Sequence, residues 1–169
     1  MIVVADSGPL HYLILLDQTE LLERLYGQIV LPQAVFWELT SQKTPQPVKD
    51  WISGFPPWCR VESAPPDRLE LITDDLDPGE REAIALAHFL HADLLLLDER
   101  LGRSEARRRG LRVTGTLGIL RAAAERDWID VPEVLARLRE TTFYVEESLI
   151  RSIFSEWLGE DKASGSTES

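Results

Sequence analysis

Two apolar runs in this chain end in an aspartate. Ile2 to Ala5 lead into Asp6, followed by Ser7, Gly8 and Pro9, and Leu94 to Leu97 lead into Asp98. Short continuous runs of this kind read as buried strands. Each aspartate then stands at the carboxyl end of its strand, and Thr114 ends a third run, Arg112 to Thr114. Sites of open parallel sheets form beyond those ends. Carboxylates gathered there repel one another and lose solvation, which is costly unless they are protonated or bound to cations. Hard oxygen ligands select Mg²⁺ or Mn²⁺ over zinc. One or two such ions can deprotonate a water and stabilise in-line displacement at a phosphodiester. The plainer reading is that Asp6 and Asp98 each cap the helix behind them.

The charge is unevenly spread. The net value is −11, from 18 basic and 29 acidic residues. Glu62, Asp67, Glu70, Asp74, Asp75, Asp77, Glu80 and Glu82 meet only Arg68 and Arg81 in their stretch. Between Arg100 and Arg112 the balance reverses, with Arg103, Arg107, Arg108 and Arg109 between them and only Glu105 in opposition. A solvated helix face is the ordinary reading of such runs. Position adds to it, since the arginine run begins two residues after Asp98.

Strand and helix signals alternate along the 169 residues. Helices are expected over Pro9 to Leu16, around Leu21 to Leu25 before Gly27, and from Pro32 through Leu39 after a strand at Ile29 to Leu31. Residues 45 to 66 hold six of the ten prolines and read as a connection with one short helix near Val48 to Ile52. Asp77 and Glu80 have the spacing of a capping box, opening a helix that runs to about Leu90. Further helices are expected over Arg103 to Arg109, Thr116 to Glu125, Pro132 to Glu140 and Glu147 to Leu158. This alternation predicts an α/β fold, a three-layer α/β/α sandwich around a mainly parallel sheet. One domain over residues 1–158 and a disordered tail over 159–169 are expected. No apolar run approaches the ~20 residues that cross a bilayer. The first apolar stretch lacks a basic leader and does not read as a signal peptide. Cys59 is the lone cysteine, which excludes intrachain disulfides and Cys-rich zinc sites and makes a reducing cytoplasm the simplest setting.

Five stretches in order, VVADSGPL, LPQAVFWEL, DPGEREAIALA, ADLLLLDERLGRSEARRRGL and VTGTLGIL, carry a resemblance. Over Met1 to Asp130 the chain resembles the PIN-domain nucleases, and most closely the VapC-like toxin branch of type II toxin–antitoxin systems. The resemblance implies a Mg²⁺- (or Mn²⁺-) dependent endoribonuclease whose acids fall on Asp6, Glu38, Glu80 and Asp98. Glu80 stands where the family usually carries Asp. It is preferred over Glu82 by its spacing to Asp98, and Glu82 stays the competing assignment. Glu99 could reach a metal through water, and Ser7 and Thr116 match hydroxyl positions that orient a ligand or a water. The family often has a further acid after the fourth, where this chain has Arg100 to Arg103; whether one metal or two bind stays open. Beside such a site, Arg100, Arg103, Arg107 and Arg108 would hold RNA backbone. A small cognate antitoxin and a homodimer are the further partners implied, with no membrane association.

Each acid keeps a structural alternative, since Glu38 could be a paired acid among apolar neighbours and Glu80 only half of a capping box. The rival function is a non-catalytic PIN-like module that binds nucleic acid or a partner. A receiver-type phosphoacceptor fits less well, because Asp6-Ser7 offers no acid pair and Val113-Thr114-Gly115 no lysine.

Overall fold

The computed structural model describes residues 1–159. Apart from Gly159, the expected disordered tail lies outside the described residues. Five parallel strands form one sheet: β1 (Val3–Ala5), β2 (Ile29–Pro32), β3 (Cys59–Glu62), β4 (Leu94–Leu96) and β5 (Val113–Thr114). Their order is β3-β2-β1-β4-β5. The chain steps outward from β1 on one side, then returns to the other side of β1 with β4. Val4 accordingly pairs with Val30 of β2 and with Leu95 of β4. That reversal makes the carboxyl ends of β1 and β4 a topological switch point, where open α/β sheets bind their ligands.

The period-two pleat divides the core into two layers. Val3, Ala5, Ile29, Leu31 and Leu96 face one cluster. It is built with α1 (Ser7–Leu15), α2 (Glu20–Tyr26), α3 (Gln33–Leu39), α4 (Gln46–Ser53), α8 (Thr116–Ala124), α9 (Val131–Arg139) and α10 (Glu147–Leu158). Val4, Val30, Leu95 and Leu97 face the other cluster, with α6 (Pro78–Phe89) and α7 (Arg100–Arg108). A short α5 (Pro66–Leu69) leads into that second layer. The result is the three-layer α/β/α fold. Burying each large aliphatic side chain in these layers contributes about 1.5–3 kcal/mol. No described helix is long and apolar enough to cross a membrane.

Two segments differ from expectation. The proline-rich connection contains an edge strand, β3, which pairs with β2 from Ile29↔Cys59 to Pro32↔Glu62. Its proline neighbours sit outside the four paired residues, where they cost no ladder bond. Helix α7 starts at Arg100 and runs through Gly102, three residues earlier than the expected start at Arg103. A Cβ at Gly102 would stand 2.9 Å from Leu97 Cδ2, so the glycine lets the helix lie close on β4's extension.

Candidate active site

Asp6 leaves β1 with its backbone tied to the next strand, its N–H donating to Leu96 O at 2.9 Å. Its side chain is 4% exposed. It occupies the N-cap position of α1, yet it makes no capping hydrogen bond. Its Oδ1 is buried with no partner. Burial therefore pushes its pKa well above the usual carboxylate range. The nearby Ser7 backbone N–H offsets this in part, and the charges of Glu38, Asp77 and Glu80 add to it. An unpartnered buried oxygen is costly, roughly 1–3 kcal/mol and more when charged. Capping does not account for Asp6.

The three acids named as its neighbours come from two helices. α3 follows β2 directly and carries Glu38 in its last turn. Burial raises the Glu38 pKa, and Asp77 raises it further, while the Ser7 hydroxyl and the Gly79 amide lie close enough to offset part of this. A Cβ at Gly79 would fall 2.2 Å from Glu38 Oε1, so a larger residue there would displace this carboxylate from the start of α6. Glu80, one residue on, is 5% exposed. Its pKa is pushed up to about 7, first by burial and then by Asp77, Glu99 and Glu38. Asp77 accepts the Glu80 N–H at 2.9 Å and is a true N-cap. It is also a member of the acidic cluster, which its capping pattern concealed in the sequence. Glu99 is exposed, and its charge adds to the rise of the Glu80 pKa.

Asp98 stands at the seam. Its Oδ1 accepts the Thr116 N–H and its Oδ2 the Thr116 hydroxyl, both at 2.7 Å. It does not cap α7, whose N-cap is Glu99. Burial raises the Asp98 pKa, while the two Thr116 bonds and the positive charge of Arg103 lower it. Gly8 brings α1 against it, a Cβ there being 3.3 Å from Asp98 Oδ2. Ser7 thus sits beside Glu38, and Thr116, fully buried, beside Asp98.

Glu82 is placed differently. Two residues along a helix is a rotation of ~200°, so it leaves α6 from the face opposite Glu80. Its Oε2 accepts the Ala34 N–H at 3.0 Å and its Oε1 the Ala64 N–H at 3.1 Å. Both oxygens are taken up in joining α6 to the start of α3 and to the segment after β3.

Among the described residues, no three His, Cys, Asp or Glu side chains stand close enough to hold a metal ion as they lie. The donor set still suits a hard divalent cation. It is all oxygen, one oxygen is buried without a partner, and burial, with the neighbouring carboxylate charges adding to it, raises the Asp6 and Glu80 pKa values, a cost that a cation would relieve. A carboxylate oxygen has more than one acceptor site, so Asp98 could keep its Thr116 bonds while ligating. The family model DUF3368, a PIN domain, matches residues 2–158. The chain belongs to the PIN-domain family. No curated protein matches it. The PIN fold is a nuclease-type fold.

The PIN domain's basic helix divides over two surfaces. Arg103 is half-buried and lies next to Asp98, with Nη1 3.4 Å from where a Gly115 Cβ would be. Its pKa is lowered first by burial and then by Arg107, against the pull of Asp98. Arg100 and Arg103 line a hollow of about 620 Å³ together with Asp98, Glu99 and Arg121 of α8. Sequence reading did not single out Arg121, which lies in an otherwise apolar, amphipathic helix. Arg108 is not brought to this side. It pairs with Glu105 at 3.2 Å and lines a different hollow with Asp74 and Asp75. Arg109 is held there as well, by Glu105 at 3.0 Å and by the Leu71 carbonyl.

Proposed function

We propose that this PIN domain is a Mg²⁺- or Mn²⁺-dependent endoribonuclease. The observation that carries the reading is the unpartnered, buried Asp6 Oδ1 at the switch point of the sheet, facing the charges of Glu38, Asp77 and Glu80. In this reading Asp6, Glu38, Glu80 and Asp98 hold the cation, and Ser7 and Thr116 orient Glu38 and Asp98. When bound, the cation supplies water activation and charge neutralisation at phosphorus. Thr116 fixes the Asp98 carboxylate in one rotamer through two hydrogen bonds. Gly8 and Gly79 keep the approach to the acids narrow. Arg100, Arg103 and Arg107 hold the RNA backbone beside the cut, offsetting the chain's overall negative charge locally. Glu82 acts as a structural clamp. The biological role that fits the resemblance is the toxin of a toxin–antitoxin pair, acting in the cytoplasm as a homodimer restrained by a small antitoxin.

The non-catalytic module is favoured by one observation: the described acids do not converge on a point as they lie. Cleavage of a mixed RNA pool with Mg²⁺ or Mn²⁺, parent against Asp6→Asn, separates the two. Folding is checked by circular dichroism. The expected result is an active parent and a folded, inactive variant. An equally active variant removes Asp6 from the chemistry, and a parent inactive on every RNA and metal tried leaves the binding module.

A further inference from the structure

The hollow lined by Asp98 has further walls. Besides Arg100, Arg103 and Arg121, it is lined by Phe143, Tyr144 and Leu149. These come from the irregular segment between α9 and α10 and from α10 itself. Tyr144 is 89% exposed, an unusual placement for a large aromatic ring. The segment that carries it is anchored. Tyr12 Oη and Thr142 Oγ1 are 3.1 Å apart, and the Tyr12 ring meets Phe143 edge-on at 4.9 Å between centroids. Tyr12 belongs to α1, the helix that begins directly after Asp6. The aromatic wall is therefore held in a set relation to the acids.

The lining of this hollow combines three guanidinium groups with aromatic and aliphatic surface. Its volume, about 620 Å³, lies within the range of small-molecule sites, roughly 300–1,000 Å³. A nucleotide presents the complementary pair of features, an anionic phosphate and a flat base. A base within a duplex cannot leave its stack to enter such a hollow without unpairing. We propose that this hollow receives an unpaired base of the RNA next to the phosphate being cut, with Tyr144 as the stacking surface and Arg100, Arg103 and Arg121 on the adjoining phosphates. The proposal rests on RNA being the substrate of the PIN domain. It assigns a binding role to Tyr144 and Arg121.

The test is binding without chemistry. A fluorescent single-stranded RNA and the same sequence as a duplex are titrated with the full chain in EDTA, and affinity is read by anisotropy. Tyr144→Ala is expected to weaken single-strand binding about tenfold, or 1.4 kcal/mol, within the range of base–aromatic stacking. Tyr144→Phe, which keeps the ring, should restore it. The salt slope should not change with either variant, because no phosphate contact is lost. Duplex binding should be insensitive to both. The proposal is overturned if Tyr144→Ala binds single strands like the parent, as it would if a protein partner filled the hollow. It is equally overturned if the duplex is weakened as much, or if Phe fails to restore binding. Binding that depends on Tyr144 in a chain that cleaves nothing would retain this site and remove the nuclease reading. Cleavage with no Tyr144 dependence would do the reverse.

Discussion

Glu80 and Glu82 sit two residues apart on one helix, both buried, and face opposite fates. Glu82 gives each oxygen to a backbone N–H and joins three segments of the fold. Glu80 gains no comparable partner, and burial together with the charges of Asp77, Glu99 and Glu38 lifts its pKa to about 7. The same contrast separates Asp6, with its orphaned Oδ1, from Glu105, which is buried but paired with Arg108 and Arg109. Burial alone does not mark a functional acid. A buried acid whose hydrogen bonds are incomplete, among others of its kind, is one whose arrangement the fold does not explain.

The largest expected effect separates the two glutamates in RNA cleavage. Loss of groups that merely support a metal ligand already lowers activity or affinity about 10–100-fold. Glu80→Gln should therefore lower cleavage by about 100-fold or more, while Glu82→Gln, if folded, stays within a few-fold of the parent. Equal losses in the two variants would erase the distinction.

Stability should rank them the other way. Glu82→Ala leaves the buried Ala64 N–H unsatisfied, worth about 1–3 kcal/mol, and the half-buried Ala34 N–H, worth less. A total of about 2–4 kcal/mol, at roughly 2–4 °C per kcal/mol for a chain of this size, gives a clear drop in Tm. Glu80→Ala should cost less, because it also removes a repelling charge. A calorimetric scan in EDTA checks both.

The pH dependence follows with its sign. A glutamate with an ordinary pKa of 4.5 in the unfolded chain and about 7 in the folded one keeps its proton longer when folded. Its stabilising contribution is present at low pH and is lost as pH rises through that window. In EDTA, stability should fall between about pH 5 and 7.5, and Glu80→Gln should flatten the fall whereas Glu82→Gln should not. Urea midpoints across that range measure it.

The smallest effect concerns the arginines. Arg103 lies beside Asp98, whereas Arg108 is paired on the other surface. Each lost single-strand phosphate contact lowers the salt slope by about 0.7. Arg103→Ala should show that change, and Arg108→Ala should show none.

Much of the fold was legible because its signals are local. Apolar runs ending at Asp6 and near Asp98 mark β1 and β4, and the Asp77 cap marks the start of α6. β3 escaped notice because Cys-Arg-Val-Glu carries little strand signal, and its pairing with β2 is a long-range fact. The expected start of α7 at Arg103 falls three residues late, and the benefit of Gly102 within the helix, room for Leu97, lies in another element. Within the site, spacing placed Glu80 and Glu82 as near-equals. Only the positions of the Ala34 and Ala64 amides distinguish them, and these depend on β2 and β3 lying side by side. Asp77 was hidden for a different reason, since one carboxylate serves both as cap and as neighbour to the acids. Arg121 and Tyr144 gave no pattern at all, because the hollow they share with Asp98 is assembled from distant segments.

The central claim is that Asp6, Glu38 and Glu80, at the ends of β1 and α3 and the start of α6, form a cation site. Calorimetric titration with Mn²⁺ tests it most directly, on the parent, Glu80→Gln and Glu82→Gln at pH 6 and pH 8. The account predicts binding by the parent that strengthens with pH, because the ligands must lose their protons. It predicts at least about tenfold weaker binding by Glu80→Gln, and binding like the parent's by Glu82→Gln. A parent that binds no Mn²⁺, or two variants that lose it equally, would contradict the account.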